Sequence, residues 1–97
     1  MPEIALHPEA DEEMRAAATF YEIRQAGLGE RFLDRIDGAF KSILAHPLAY
    51  QILIENYRRR LVDQFPYSVI YRTEEDRIFV LAVAHWSRKP DYWRGRG

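Results

Sequence analysis

The chain has 97 residues, a length that suits one domain, and its 47 % apolar and 13 % aromatic content belongs to packed globules rather than disordered chains. It has no cysteine, which excludes disulfides, cysteine-ligated zinc and thiol catalysis together. The net charge of −1 argues against a generic nucleic-acid binder, and no apolar run reaches the ~18 residues that cross a bilayer.

Residues 1–97 read as a single domain without linker, repeat or low-complexity stretch. The opening Met1-Pro2-Glu3-Ile4-Ala5-Leu6 lacks the basic region and long apolar run of a signal peptide, and the composition suits a cytoplasmic protein. Glu3 to His7 is a candidate short strand with Ile4 and Leu6 on one face. Pro8 suits the first turn of a helix, where its missing N–H costs nothing, and Glu9, Asp11, Glu12 and Glu13 favour that end of the helix dipole. Ala10, Met14, Ala17, Ala18 and Tyr21 recur at helical spacing, and Gly27 stops the run. A second helix is expected from Leu28 or Gly29 to Ala45, with the stronger stripe Leu28, Phe32, Ile36, Ala39, Phe40, Ile43 and Leu44, ended by Pro47. A connection this short makes an antiparallel helix hairpin, whose remaining apolar surface must lie on a sheet.

Residues 48–57 allow two readings, a loop or a strand beginning near Ile52. Beyond them come three strand-like runs. The first carries Arg58-Arg59-Arg60-Leu61-Val62, and Phe65-Pro66 marks the turn into Tyr67 to Arg72. In that second run Tyr67, Val69 and Tyr71 share one face, and Ser68, Ile70 and Arg72 the other. After the acidic turn Thr73-Glu74-Glu75-Asp76, the run Ile78 to Ala84 is apolar throughout, as in a central strand covered on both faces. The tail carries Pro90-Asp91-Tyr92-Trp93-Arg94, one helical turn at most, and frays at Gly95 to Gly97.

Charge is unevenly spread. Residues 1–48 hold five Arg/Lys against nine Asp/Glu, net −4, and residues 49–97 hold nine against six, net +3. The cationic surplus on the sheet half marks either a surface for an anionic partner or the ordinary preference of helix surfaces for glutamate. His7, His46 and His85 lack metal-ligand spacing, no phosphate loop or nucleophile elbow is present, and neither metal nor cofactor is expected.

The chemistry that fits such a basic rim is cleavage of an RNA phosphodiester by its own 2′-hydroxyl. It needs a base, cations on the phosphorane and an acid for the leaving oxygen. His85 suits base or acid, histidine being the side chain whose unperturbed pKa lies near neutrality. Arg59, Arg72 and Arg88 suit a phosphate clamp. Tyr92 is a candidate proton donor, and Trp93 a stacking surface for an unpaired base. Arg58, Arg60 and Arg94 are candidate RNA- or partner-binding groups. Plainer readings stand beside these: His85 as hydrogen-bonded scaffolding, the run Arg58 to Arg60 as a solvated strand face or partners of helix carboxylates, and Tyr71 and Trp86 as core.

These residues also carry a resemblance. His7-Pro8-Glu9-Ala10, Phe20-Tyr21-Glu22, Gly29-Glu30-Arg31-Phe32, Arg58-Arg59, the run Phe65 to Arg72 and the tail Ala82 to Trp93 together resemble the RelE/ParE superfamily of type II toxins, of the plasmid-stabilisation type, over nearly the full length. The resemblance implies an α+β fold, with a short N-terminal strand and an antiparallel helix hairpin packed on a small antiparallel sheet, in β-α-α-β-β-β order. It implies a growth-inhibiting toxin neutralised by a cognate antitoxin. RelE-like members are ribosome-dependent mRNA endoribonucleases, and ParE-like members poison DNA gyrase without such chemistry. The expectation here is mRNA cleavage, with gyrase inhibition or an inactive antitoxin-binding relic as alternatives.

Overall fold

The computed structural model describes residues 3–97; Met1 and Pro2, which open the stretch read for a leader, lie outside them. Strand β1 (Glu3–Leu6) leads directly into helix α1 (Pro8–Arg24), followed by α2 (Leu28–Ala45) and strands β2 (Gln51–Ile54), β3 (Tyr57–Leu61), β4 (Tyr67–Thr73) and β5 (Arg77–His85). Pro8 opens α1 as expected, and His7 Nδ1 accepts the Glu9 backbone N–H at 3.1 Å.

The link between the helices is tight. Gly27 sits at φ 87° and has no side chain to cap α2. The Glu22 carboxylate of α1 does so instead, accepting backbone N–H groups from Gly27 at 2.9 Å and Gly29 at 3.0 Å. A Cβ on Gly29 would stand 2.5 Å from the Ala18 carbonyl oxygen and 2.9 Å from Glu22 Cβ, so the helices touch backbone to backbone there. Gly29→Ala is therefore expected to cost about 2 kcal/mol, against the slight gain alanine brings to an open helix. Chemical denaturation checks this, and an unchanged midpoint would mean that the hairpin relaxes freely.

The hairpin lies on one face of the sheet. Phe32, Ile36, Ala39 and Ile43 of α2 and Ala10 and Ala17 of α1 meet Val69, Tyr71, Ile78, Val80 and Val83 in one buried cluster. The stronger α2 stripe thus supplies the hairpin's large fully buried side chains, Phe32, Ile36 and Ile43, each contributing roughly 1.5–3 kcal/mol.

The described residues form a five-stranded sheet in the order β1-β5-β4-β3-β2. The α+β layering is as expected, but the sheet is mixed rather than wholly antiparallel, because β1 pairs in parallel with β5, Glu3 opposite Arg77 and Leu6 opposite Val80. Residues 48–57 supply an additional strand: β2 pairs antiparallel with β3 across a two-residue turn with Glu55 at φ 53°. The loop before β2 is tied down from below. Tyr71 Oη donates to the Pro47 carbonyl at 2.7 Å, and Arg58 Nη1 donates to the Tyr50 carbonyl at 2.8 Å.

One irregularity decides the site. On β4, Ile70 pairs with Ala82 but Tyr71 pairs with Val80, so Leu81 is an extra residue bulged into β5. Alternation along β5 changes phase there. Ile78, Val80 and Val83 face the helices, whereas Leu81, Ala82 and Ala84 face the other side, where Trp93 lies. A bulge inside an unbroken apolar run leaves no mark on hydrophobic periodicity.

Candidate functional site

The sheet face away from the helices is covered by the tail after β5. Trp93 is only 3 % exposed, packs with Ile70, Leu81 and Ala82, and meets the Tyr57 ring edge-on at 5.0 Å. Between this tail and the sheet lies a cleft of about 340 Å³. Its floor is Leu61, Ile70 and Ala84; Arg59, Arg88, Tyr92 and Trp93 stand on its walls, and His85 borders it at the end of β5 with its ring turned to the opposite face.

Five of the nine candidate residues therefore share one cleft. Arg72 is on the same face but over the Phe79 ring at 5.0 Å, donating to Glu74 at 2.8 Å and to the Gly97 carbonyl at 2.6 Å. Arg58 and Arg60 are on the helix face, since β3 alternates. Arg60 donates to Ser42 Oγ at 3.0 Å, to the Leu61 carbonyl and to Asp63. Arg94 pairs with Glu55 at 3.0 Å, away from the cleft.

Within the cleft the polar groups are held by other parts of the chain. The bulge turns His85 towards the helices, with its ring 5.0 Å from that of Tyr67 and its Nδ1 accepting the Ser87 N–H at 3.0 Å. Tyr92 donates its hydroxyl proton to Glu13 Oε2 at 2.7 Å. Burial, and then that bond to Glu13, push the Tyr92 hydroxyl well above its ordinary value of 10.0, which makes it a poorer acid at neutral pH. Arg88 stacks 3.9 Å over the Tyr92 ring and reaches Glu13 at 3.7 Å.

Glu13 organises this region, and it was read from sequence only as one acid among several in a first turn. Its carboxylate also takes Arg96 at 2.9 and 3.0 Å and accepts the Val83 backbone N–H at 3.0 Å. β1 pairing ends at Val80. Beyond that point Glu13 on Val83 N–H and Arg96 Nη1 on the Leu81 carbonyl at 3.0 Å supply the bonds a neighbouring strand would make. One signal was available: Glu13 lies three residues after Ala10 and four before Ala17, on the inward stripe of α1.

At the far end, Glu74 bridges Arg77 at 2.6 Å and Arg72 at 2.8 Å. Hydrogen bonds from Arg77 and then Arg72 hold its carboxyl below the ordinary 4.5. That contribution to stability is complete above pH 4.5 and fades as pH falls through and below it. Denaturation midpoints are expected to drop more steeply below pH 4.5 in the parent than in Glu74→Gln; parallel curves would show that the bridge is silent.

Among the described residues no helix is long and apolar enough to cross a membrane, and no group of three acidic or histidine side chains is placed to hold a metal ion.

A family model described as the ParE toxin of the type II toxin–antitoxin system parDE matches residues 4–90. Toxin ParE2 of Mycobacterium tuberculosis, in strains CDC 1551 / Oshkosh and ATCC 25618 / H37Rv, is 36 % identical over 56 residues, which cover 58 % of this chain and 53 % of that protein. The chain thus spans about half the length of the curated relatives it matches. Its fold is similar to that of a chain in the structure of the chromosomal ParDE TA system from P. aeruginosa, with a TM-score of 0.70 at 18 % identity, covering 88 % of this chain and 96 % of that one.

Proposed function

The chain belongs to the ParE toxin family of type II toxin–antitoxin systems, and on that premise we propose that it is a cytoplasmic toxin that binds and stalls DNA gyrase with no bond-breaking chemistry of its own. The observation that carries this reading is the engagement of Glu13. The carboxylate that binds Tyr92 and Arg96 and reaches Arg88 occupies the groups a phosphodiester cleavage would need as acid and clamp. His85 is turned to Tyr67 by the bulge, whereas Arg72, at the opposite end of the sheet, is bonded to Glu74.

Ribosome-dependent mRNA cleavage is the second reading. It is favoured by one observation, that Arg59, His85, Arg88 and Tyr92 line a common cleft. In that reading His85 is base or acid, Arg59 and Arg88 clamp the phosphate, and an opening of the Glu13 contacts frees Tyr92.

The two separate cleanly in cells induced without antitoxin. The gyrase reading expects cleaved DNA trapped on gyrase and loss of supercoiling, with mRNA intact. Early mRNA fragmentation with normal supercoiling would replace it with the second reading, and unimpaired growth would sink both in favour of an inactive relic.

The cognate antitoxin is proposed to dock on the outer face of the helix hairpin. Phe20 and Ile23 are 48 % and 81 % exposed on α1, bordered by Arg15 and Arg24. Asp11 and Glu12 line the same groove, and Arg15 pairs with Asp11 at 2.9 Å. An amphipathic segment therefore fits it through its apolar face, with Arg24, paired with no carboxylate among the described residues, left for an acidic group.

A further inference from the structure

We propose that the cleft between the tail and the sheet is a docking site for an acidic peptide segment, with a carboxylate seated on Arg59 and an adjoining apolar side chain on Leu61, Ile70 and Ala84. The proposal concerns a surface separate from the helix hairpin and does not depend on which target the toxin has.

Arg59 is the starting point. Its bond to Gln51 Oε1 at 2.6 Å is to a neutral group. Its Nε is buried and has no hydrogen-bond partner among the described residues. Every other arginine near the tail is matched by a carboxylate: Arg72 by Glu74, Arg88 by Glu13, Arg94 by Glu55, and Arg96 by Glu9 and Glu13. A desolvated guanidinium edge without an acceptor is a site for a charge-assisted bond. The cleft also bears Lys89, against a single lining carboxylate, Asp91, so its charge favours an anion. Its floor is apolar, and Leu61 is 47 % exposed, which suits a ligand alternating carboxylate and aliphatic groups.

The same walls disfavour single-stranded nucleic acid. Stacking needs free aromatic faces. The Tyr92 ring has Arg88 at 3.9 Å and Arg96 at 4.9 Å from its centre and Trp93 is buried, which leaves Trp86, 58 % exposed at the cleft and tied to Ser68 Oγ through its indole N–H at 3.1 Å, as a single open face where a strand of bases needs several. The chain as a whole has a net charge of −1, so no long-range field draws a polyanion in.

The test is a nuclear magnetic resonance titration of the full chain with a six-residue peptide alternating glutamate and leucine, blocked at both ends. Binding in the millimolar range is expected, with shifts at the Arg59 Nε–H, the Trp86 indole N–H and the amides of Ile70 and Ala84. Arg59→Gln should weaken it about tenfold, the difference made by one charge-assisted bond. Leu61→Glu, at an exposed position, should abolish it by setting a competing carboxylate beside Arg59. Shifts confined to the helix hairpin, equal binding of a glutamine–leucine peptide, or undiminished binding by folded Arg59→Gln would overturn the proposal. Displacement of the peptide by a lower concentration of a six-nucleotide oligouridylate would overturn it in favour of nucleic acid.

Discussion

Trp93→Ala is expected to lower the unfolding free energy by about 4 kcal/mol, the largest loss of any single substitution in the tail. The indole is 3 % exposed, meets Tyr57 edge-on, and with Ile70, Leu81, Ala82 and Ala84 forms the core of the second sheet face. Truncation removes that buried area and leaves a cavity that the sheet, held rigid by the helices behind it, cannot collapse to fill. A domain of this size has about 5–15 kcal/mol in all, so the variant should sit near the limit of folding. Urea denaturation measures the loss, and amide exchange at Ile70 and Leu81 should quicken in proportion. A change under about 1 kcal/mol would mean that the tail only rests on the sheet.

Glu13→Ala comes next, at about 3 kcal/mol. Its side chain is 16 % exposed and that of Arg96 11 %, so removing the carboxylate strands the Tyr92 hydroxyl and the Val83 N–H and leaves a nearly buried guanidinium with only Glu9 at 3.1 Å and the Leu81 carbonyl at 3.0 Å. Glu13→Gln keeps the shape and part of the bonding and should lose roughly half as much. A double-mutant cycle with Arg96→Met separates the two sources of cost. The double variant should be more stable than the sum of the single losses implies, because no nearly buried charge is left short of partners. Strict additivity would show that Arg96 finds water instead. Glu13→Ala and Trp93→Ala both release the tail, so their combined loss should fall short of their sum.

The helix hairpin was legible because two signals agreed: Pro8 opens α1 and Gly27 marks the turn between the helices, although α1 ends earlier, at Arg24, and Gly27 precedes α2, and the stripe from Leu28 to Leu44 repeats at helical spacing and faces the core. The alternation of β4 was legible for the same reason, with Val69 and Tyr71 under the helices and Ile70 on the reverse face. The parallel seat of β1 was not, because Ile4 and Leu6 report an inward face but no neighbour. Strand β2 was equally hidden, since residues 48–57 carry strand-forming residues without clear alternation and are held in place by Tyr71 and Arg58, far along the chain.

For the candidate site, residue types alone selected Arg59, His85, Arg88, Tyr92 and Trp93, and the fold brings all five to one cleft. What composition could not convey was their state. Whether an arginine is free or paired depends on carboxylates distant in sequence, as Glu13 is from Tyr92 and Arg96, and Glu55 from Arg94.

The amino-acid order by itself determined the elements, their buried faces and the type of residue available at the sheet's end, because those follow from local spacing and side-chain chemistry. Only the tertiary structure decided where each group points and what it holds. A one-residue bulge at Leu81 turns His85 to the helix side, and one glutamate on α1 gathers the tail's cations. Both are products of long-range pairing, set by which backbone groups would otherwise be left without a partner.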